Sequence, residues 1–188
     1  MAENELLTDL ELVKYCLKGD RKRQEMLYRR YASKMYTICL SYAKDKDDAK
    51  DILQDGFVKI FTSLKNYNGS GSLEGWIKRI MVNTAIDYYR KTIKDISNTG
   101  VEYAKDKEVE SSVLDSINAD ELMNIVHKLP EGARIIFNLY AIEGYNHLEI
   151  AKILNISEGT SKSQFSRARF LLQERINNLY SLKTVLKN

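Results

Sequence analysis

Only one proline, Pro130, breaks a chain of 188 residues. Proline removes a backbone donor and kinks a helix, and glycine raises the entropy cost of ordering one. A chain this poor in both is free to run as helix almost throughout. The apolar positions agree. In "DDAKDILQDGFVKIFTSLKNY" they fall at Ile52, Leu53, Phe57, Ile60, Phe61 and Leu64, the spacing of one buried helix face. Turn formers gather in three breaks, "KGD", "KDK" and "NGSGS", which divide the first half into four helices. The first is capped by Thr8 and ends at Gly19. The others are "RQEMLYRRYASKMYTICLSYA", the stretch quoted above, and "LEGWIKRIMVNTAIDYYRKTIK".

Helical periodicity is lost from residue 95 to residue 118, "DISNTGVEYAKDKEVESSVLDSIN", an acidic and Ser/Asn-rich stretch that reads as a flexible linker. It resumes near Ala119 with "DELMNIVHKL", restarts after Pro130 as "EGARIIFNLYAIEG", and continues on both sides of Asn155-Ile156-Ser157. The expected fold is all-α: two small four-helix domains, residues 8–94 and 119–180, joined by the linker. No apolar run is long enough to cross a bilayer and "MAENELLTDLE" is no signal peptide, so the expected location is the cytoplasm. Cys16 and Cys39 lie in helical patterns with no CxxC and no nearby His, which points to two buried thiols rather than zinc or a disulfide. His127 and His147 have no clustered carboxylate or thiol beside them. No catalytic residue, metal, cofactor or small-molecule substrate is expected.

The net charge of +3 matters less than its distribution. From Asp45 to Asp55 five acids face Lys46 and Lys50, a net of −3. From Trp76 to Lys94 five bases face Asp87, a net of +4. From Asp95 to Glu121 the net is −6, and from Ile156 to the end it is +4. Two basic blocks held apart by an acidic one suggest two polyanion-binding surfaces.

The second of these blocks has a specific shape. Ile150, Ala151 and Leu154 mark one helix, Ile156 a turn, and Phe165, Ala168 and Leu172 a second helix, with Ser157 as its N-cap and Glu158 in its first turn. This is helix-turn-helix spacing, with Ala151 small enough for a close crossing. The second helix should turn Ser161, Phe165, Ala168 and Leu172 inward. Its outward face is then Gly159, Ser163, Ser166 and Arg167, flanked by Thr160, Lys162, Gln164 and Arg169. Short polar groups and cations near a helix N-terminus suit phosphates and base edges of a major groove.

"GTSKSQFSRAR", Gly159 to Arg169, resembles the region 4 recognition helix of sigma-70 family factors of the extracytoplasmic-function (ECF) group, usually worded G-T-V-K-S-R-L-S-R-A-R. The run from Leu129 to Leu154 is similar to the same region. "DDAKDILQDGFVKIF" resembles region 2.2, and "WIKRIMVNTAIDYYRK" resembles regions 2.3 and 2.4 through Trp76, Ile80, Asn83, Asp87 and Arg90. Three positions depart from the family wording. Ser161 stands where an apolar residue is usual, Gln164 where Arg is frequent, and Val82 where a basic or small residue is common. Gln164 would favour adenine over guanine.

The resemblance implies an alternative sigma factor, not an enzyme, that binds core RNA polymerase and directs it to promoter DNA. It further implies a regulator that masks both domains, an anti-sigma factor commonly linked to the membrane. The expected polymerase contacts are Asp48, Asp51, Gln54 and Asp55, clustered on the third helix. The expected downstream-element contacts are Asn66, Asn68 and Ser70 of the loop "NYNGSGS", with Trp76, Lys78, Arg79, Asn83 and Arg90. Arg79, Asn83, Ile86 and Arg90 form one stripe, with Lys78 and Lys91 flanking and Trp76, Tyr88 and Tyr89 interleaved. Cations for phosphates and aromatics for unpaired bases suit capture of a separated strand. The expected upstream-element contacts are Gly159, Thr160, Lys162, Ser163, Gln164, Ser166, Arg167 and Arg169. Two dozen extended linker residues reach about 80 Å at about 3.3 Å each, enough for elements about two DNA turns apart.

Two other classes compete. A helix-turn-helix regulator would need an effector-sensing first half and a palindromic operator, and no stretch of the first half suggests an effector pocket. A helical enzyme would need a constellation of His, Asp or Cys, or a phosphate loop, and the sequence has neither.

Overall fold

A computed structural model describes residues 7–92 and 119–185; the linker expected at 95–118 lies outside them. The described residues are helical with no strand. The chain divides into two compact units, Met1–Tyr89 and Arg90–Asn188.

In the first unit α1 runs from Asp9 to Leu17, and Thr8 and Glu11 close a reciprocal capping box on it. Gly19, at φ 80°, reverses the chain into α2, Arg21–Tyr42, which Asp20 caps. The third helix, α3, spans Lys46–Ser63, and the Asp45 carboxylate accepts from the amides of Asp47 and Asp48 at its start. A 3-10 turn, Leu64–Asn66, leads through the loop to α4, Leu73–Thr92. Leu12, Leu27, Met35, Ile52, Ile60, Leu64, Leu73, Ile77 and Met81 form the fully buried centre. Gly56 is buried in mid-α3, where a Cβ would run into the Met81 side chain of α4. Cys16 and Cys39 are buried free thiols, and burial pushes them up to about 11 and about 12, beyond the reach of thiolate chemistry.

In the second unit α5 spans Ala119–His127 and α6 spans Glu131–Phe137, entered through Pro130 at its N-cap. The expected helix does not run unbroken through "EGARIIFNLYAIEG": it widens at Asn138–Ile142 into a π turn and stops at Gly144, φ 78°. Helix α7, His147–Leu154, starts in a capping box between Asn146 and Glu149. Helix α8, Glu158–Val185, is the unit's long spine, packed by α5, α6 and α7. The core on it is Ile125, Val126, Leu129, Ala133, Ala168, Leu172 and Ile176. Arg134 is buried, with its Nη1 donating to the His127 carbonyl at 3.0 Å.

Candidate nucleic-acid interface

Three successive residues build the turn between α7 and α8. Asn155 takes the left-handed conformation, φ 55° and ψ 49°, and its amide donates to the Ala151 carbonyl. The Ile156 amide donates to the same carbonyl at 3.0 Å, which closes α7. Ser157 Oγ then accepts from the Thr160 amide at 2.9 Å and caps α8. Ala151 is buried at the crossing, as its size requires.

Of the outward positions expected on α8, Gly159, Lys162, Ser166 and Arg169 are exposed, and Ser163 and Arg167 are half-buried. Thr160 and Gln164 are corrections: each is only 6% exposed. Thr160 folds onto Ser157, hydroxyl to hydroxyl at 2.8 Å. The inward stripe is Ser161, Gln164, Ala168 and Leu172. Phe165, expected inward, moves to the flank, where its ring meets Tyr140 at 4.4 Å and His147 at 5.6 Å. Gln164 is therefore packed into the unit rather than open to solvent. Ser161, the departure from the family wording, is fully buried, and its Oγ lies 2.9 Å from His147 Nδ1. Lys162 pairs with Glu158 at 2.6 Å, one turn back, and this bond holds the Glu158 carboxyl below its usual range.

On α4 the exposed stripe is Arg79, Asn83, Asp87 and Arg90, with Lys91 beside it. Ile86 is a further correction: it is 4% exposed and belongs with Ile77, Met81, Val82, Ala85 and Tyr89 in the core. Its place in the stripe is taken by Asp87, whose charge is met by Lys59 of α3 at 3.2 Å. Val82, the third departure, is a core residue. The aromatics separate by role. Tyr89 is buried, while the Tyr88 phenol donates to Asp48 at 2.7 Å, a bond that pushes the phenol up to about 12. Trp76 is half-buried against Tyr67, with ring centroids 5.6 Å apart. Lys78 is half-buried. Asn66, Asn68 and Ser70 are exposed on a loop pinned twice: the Ser70 amide donates to Asn68 Oδ1 and the Tyr67 phenol to the Gly71 carbonyl, both at 2.9 Å.

Helix α3 presents Asp51, Gln54 and Asp55 to solvent. Asp48 is half-buried and joins α3 to α4 through Tyr88. Beside the exposed row is a largely apolar groove that sequence reasoning missed, lined by Tyr28, Leu53, Gln54, Phe57, Val58 and Phe61 together with Lys50, whose charge is met by Asp47 at 2.8 Å. Phe57 is buried as its spacing predicts and Phe61 is half-buried, while Tyr28 of α2 packs on Phe57 at 4.6 Å between ring centroids and Val58 stays 57% exposed. The one available signal was Val58 itself, apolar on the polar side of α3. Residues 18–34 form another missed feature, a basic block with seven cations against Asp20 and Glu25. Much of its charge is met internally: Arg30 pairs with Asp9, Lys34 with Glu74 and Arg29 with Glu25, while Lys18 and Arg23 lie over the Tyr15 ring.

The sigma-70 region 2 family model matches residues 27–94, and the sigma-70 region 4 model matches residues 119–171. The ECF RNA polymerase sigma-E factor of Escherichia coli (strain K12) is 30% identical over 188 residues, covering 94% of this chain and 98% of that protein. The sigma-E factor of Haemophilus influenzae is 29% identical over 187 residues, covering 93% and 98%. Among solved structures, CnrH in complex with the cytosolic domain of CnrY aligns with a TM-score of 0.46 at 22% identity, over 89% of this chain and 96% of the other. The chain belongs to the sigma-70 family, within its ECF group of RNA polymerase sigma factors. It is an alternative sigma factor that directs transcription initiation, and its family consists of non-catalytic factors that bind core polymerase and promoter DNA. Among the described residues no helix is long and apolar enough to cross a membrane.

Proposed function

We propose a division of labour within this sigma factor. Residues 8–94 dock on core polymerase and capture the downstream promoter element, residues 95–118 tether, and residues 119–180 read the upstream element. The polymerase face is Asp51, Gln54 and Asp55 together with the groove of Tyr28, Leu53, Val58 and Phe61. Acids and an amide beside apolar side chains suit a partner helix that carries cations on an apolar stripe. Asp48 serves that face indirectly, by holding α3 on α4. The downstream face is Arg79, Asn83 and Arg90 with Lys78, the loop residues Asn66, Asn68 and Ser70, and Trp76 at the junction of loop and helix. The upstream face is Gly159, Lys162, Ser163, Ser166, Arg167 and Arg169. An anti-sigma partner would act by covering these surfaces, and a polymerase subunit works in the cytoplasm.

The observation that carries this reading is the split of adjoining helices into faces of opposite character. Helix α3 exposes an acid–amide row, whereas α4 exposes arginines and an asparagine, with its one acid in the stripe met by Lys59. The test separates the faces. Asp51→Arg should weaken binding to core polymerase and leave the helical content unchanged. Arg79→Ala with Arg90→Ala should leave polymerase binding intact while reducing strand opening, read by permanganate reactivity of unpaired thymines. If both sets of variants reduced polymerase binding equally, the proposed division would be wrong.

A further inference from the structure

We propose that His147 is a positioning residue for the DNA-reading half of α8, acting through Ser161. The inference rests on the reading of α8 as the upstream-element helix.

Ser161 is fully buried on a face that a helix of this kind would fill with an apolar side chain. A buried hydroxyl left without a partner is costly, and the partner at hand is His147 Nδ1 at 2.9 Å. The imidazole is itself held in place. It follows Asn146, whose amide and side chain are both engaged by Glu149 in the capping box of α7. The ring stacks on Tyr140, with centroids 4.5 Å apart and planes 20° apart, and meets Phe165 of α8 edge-on at 5.6 Å. The first residue of α7 is thus fixed by its own cap and by an aromatic ring, and is bonded to the first turn of α8. Ser161 stands directly between Thr160 and Lys162, and the outward residues Gly159, Lys162 and Ser163 surround it. Whatever sets its depth sets theirs. The rival account is that Ser161 returns its hydroxyl to a carbonyl of its own helix, as buried helical serines do, and has no need of His147.

The test uses the full chain with core polymerase, on promoter fragments that the wild-type holoenzyme selects from a randomised duplex pool. His147→Phe keeps the stack on Tyr140 and removes the hydrogen bond. It should weaken holoenzyme binding to the upstream element about three- to tenfold and flatten base discrimination there, with core polymerase affinity unchanged. Adding Ser161→Val, which removes the buried hydroxyl, should restore binding to within about twofold. His147→Gln, which keeps a polar group on the ring's side, should fall between wild type and the Phe variant. Wild-type affinity in His147→Phe, or a loss that persists in the double variant, overturns the proposal in favour of the rival. If the Phe variant does not fold, the Gln variant decides by the same double-variant comparison. Lys162→Ala and Arg169→Ala are controls on the underlying reading: if neither changes upstream binding, the assignment of α8 fails and the inference falls with it.

Discussion

Asn155 is the one non-glycine residue with positive φ among the described residues, and it is exposed, so substitution there changes backbone strain without emptying the core. A side chain with a Cβ in the left-handed region costs about 1–2 kcal/mol, least for Asn and most for a β-branched residue. Asn155→Val should therefore destabilise the second unit by about 1–2 kcal/mol, and Asn155→Ala by about half of that. Asn155→Gly should stay within about 0.5 kcal/mol, because relief of strain offsets the added freedom of the unfolded chain. For a unit of this size, each kcal/mol shifts the melting temperature by about 4–8 °C, which puts the Asn155→Val protein about 5–15 °C below wild type. The single tryptophan, Trp76, lies in the first unit, so its fluorescence follows that unit while far-UV circular dichroism follows both. The Asn155→Val change should lower the dichroism transition and leave the tryptophan transition in place. Melting of the Asn155→Val protein within about 1 °C of wild type would refute the strain argument. So would an equal fall in the Asn155→Gly protein.

Tyr88→Phe should cost about 1 kcal/mol by removing the donor to Asp48, and should lower the urea midpoint reported by Trp76. The same change should weaken polymerase binding less than Asp51→Arg does, because it loosens α3 rather than reversing an exposed charge. Both histidines are held below their usual value of 6.5, His127 by burial and then by Arg134, His147 by burial and then by Lys162 against the opposing pull of Glu158. The unfolded chain therefore takes up protons first as pH falls. Stability of the second unit should be full above about pH 6.5 and decline below it, with a lower urea midpoint at about pH 5.5 than at about pH 7.5. A midpoint that rose on acidification would contradict these environments. Ile135→Ala, which empties a fully buried site in α6, should cost about 2–5 kcal/mol in the second unit and leave the first unit's melting unchanged.

How far the sequence could be read depended on the range of the contacts involved. The helices of the first unit follow from apolar spacing and local caps such as Thr8–Glu11, which span a few residues. The helix-turn-helix was equally local, set by Ala151, Ser157 and the break between them. What could not be read was the rotation of each helix where a distant ring or charge decides it. Phe165 turns to the flank because Tyr140 and His147, 25 and 18 positions earlier, offer it aromatic surfaces, and Gln164 turns inward as a result. Asp48 looked like its neighbours Asp51 and Asp55 until Tyr88, 40 residues away, claimed it. Ile86 and Asp87 are adjacent, and a one-residue error in phase exchanges a core side chain for a surface acid. The π turn at Asn138–Ile142 has no local signature beyond Gly144, two residues past its end.

The central claim is that these surfaces become a promoter reader only on the polymerase. Run-off transcription tests it directly, with purified core polymerase, the full chain, and templates selected by the holoenzyme. A discrete start should appear with wild-type protein and be lost with Asp51→Arg, while the free chain should bind the same templates only weakly and lose that binding as salt rises. Tight, site-specific binding by the free chain, or an undiminished transcript from the Asp51→Arg protein, would contradict the claim.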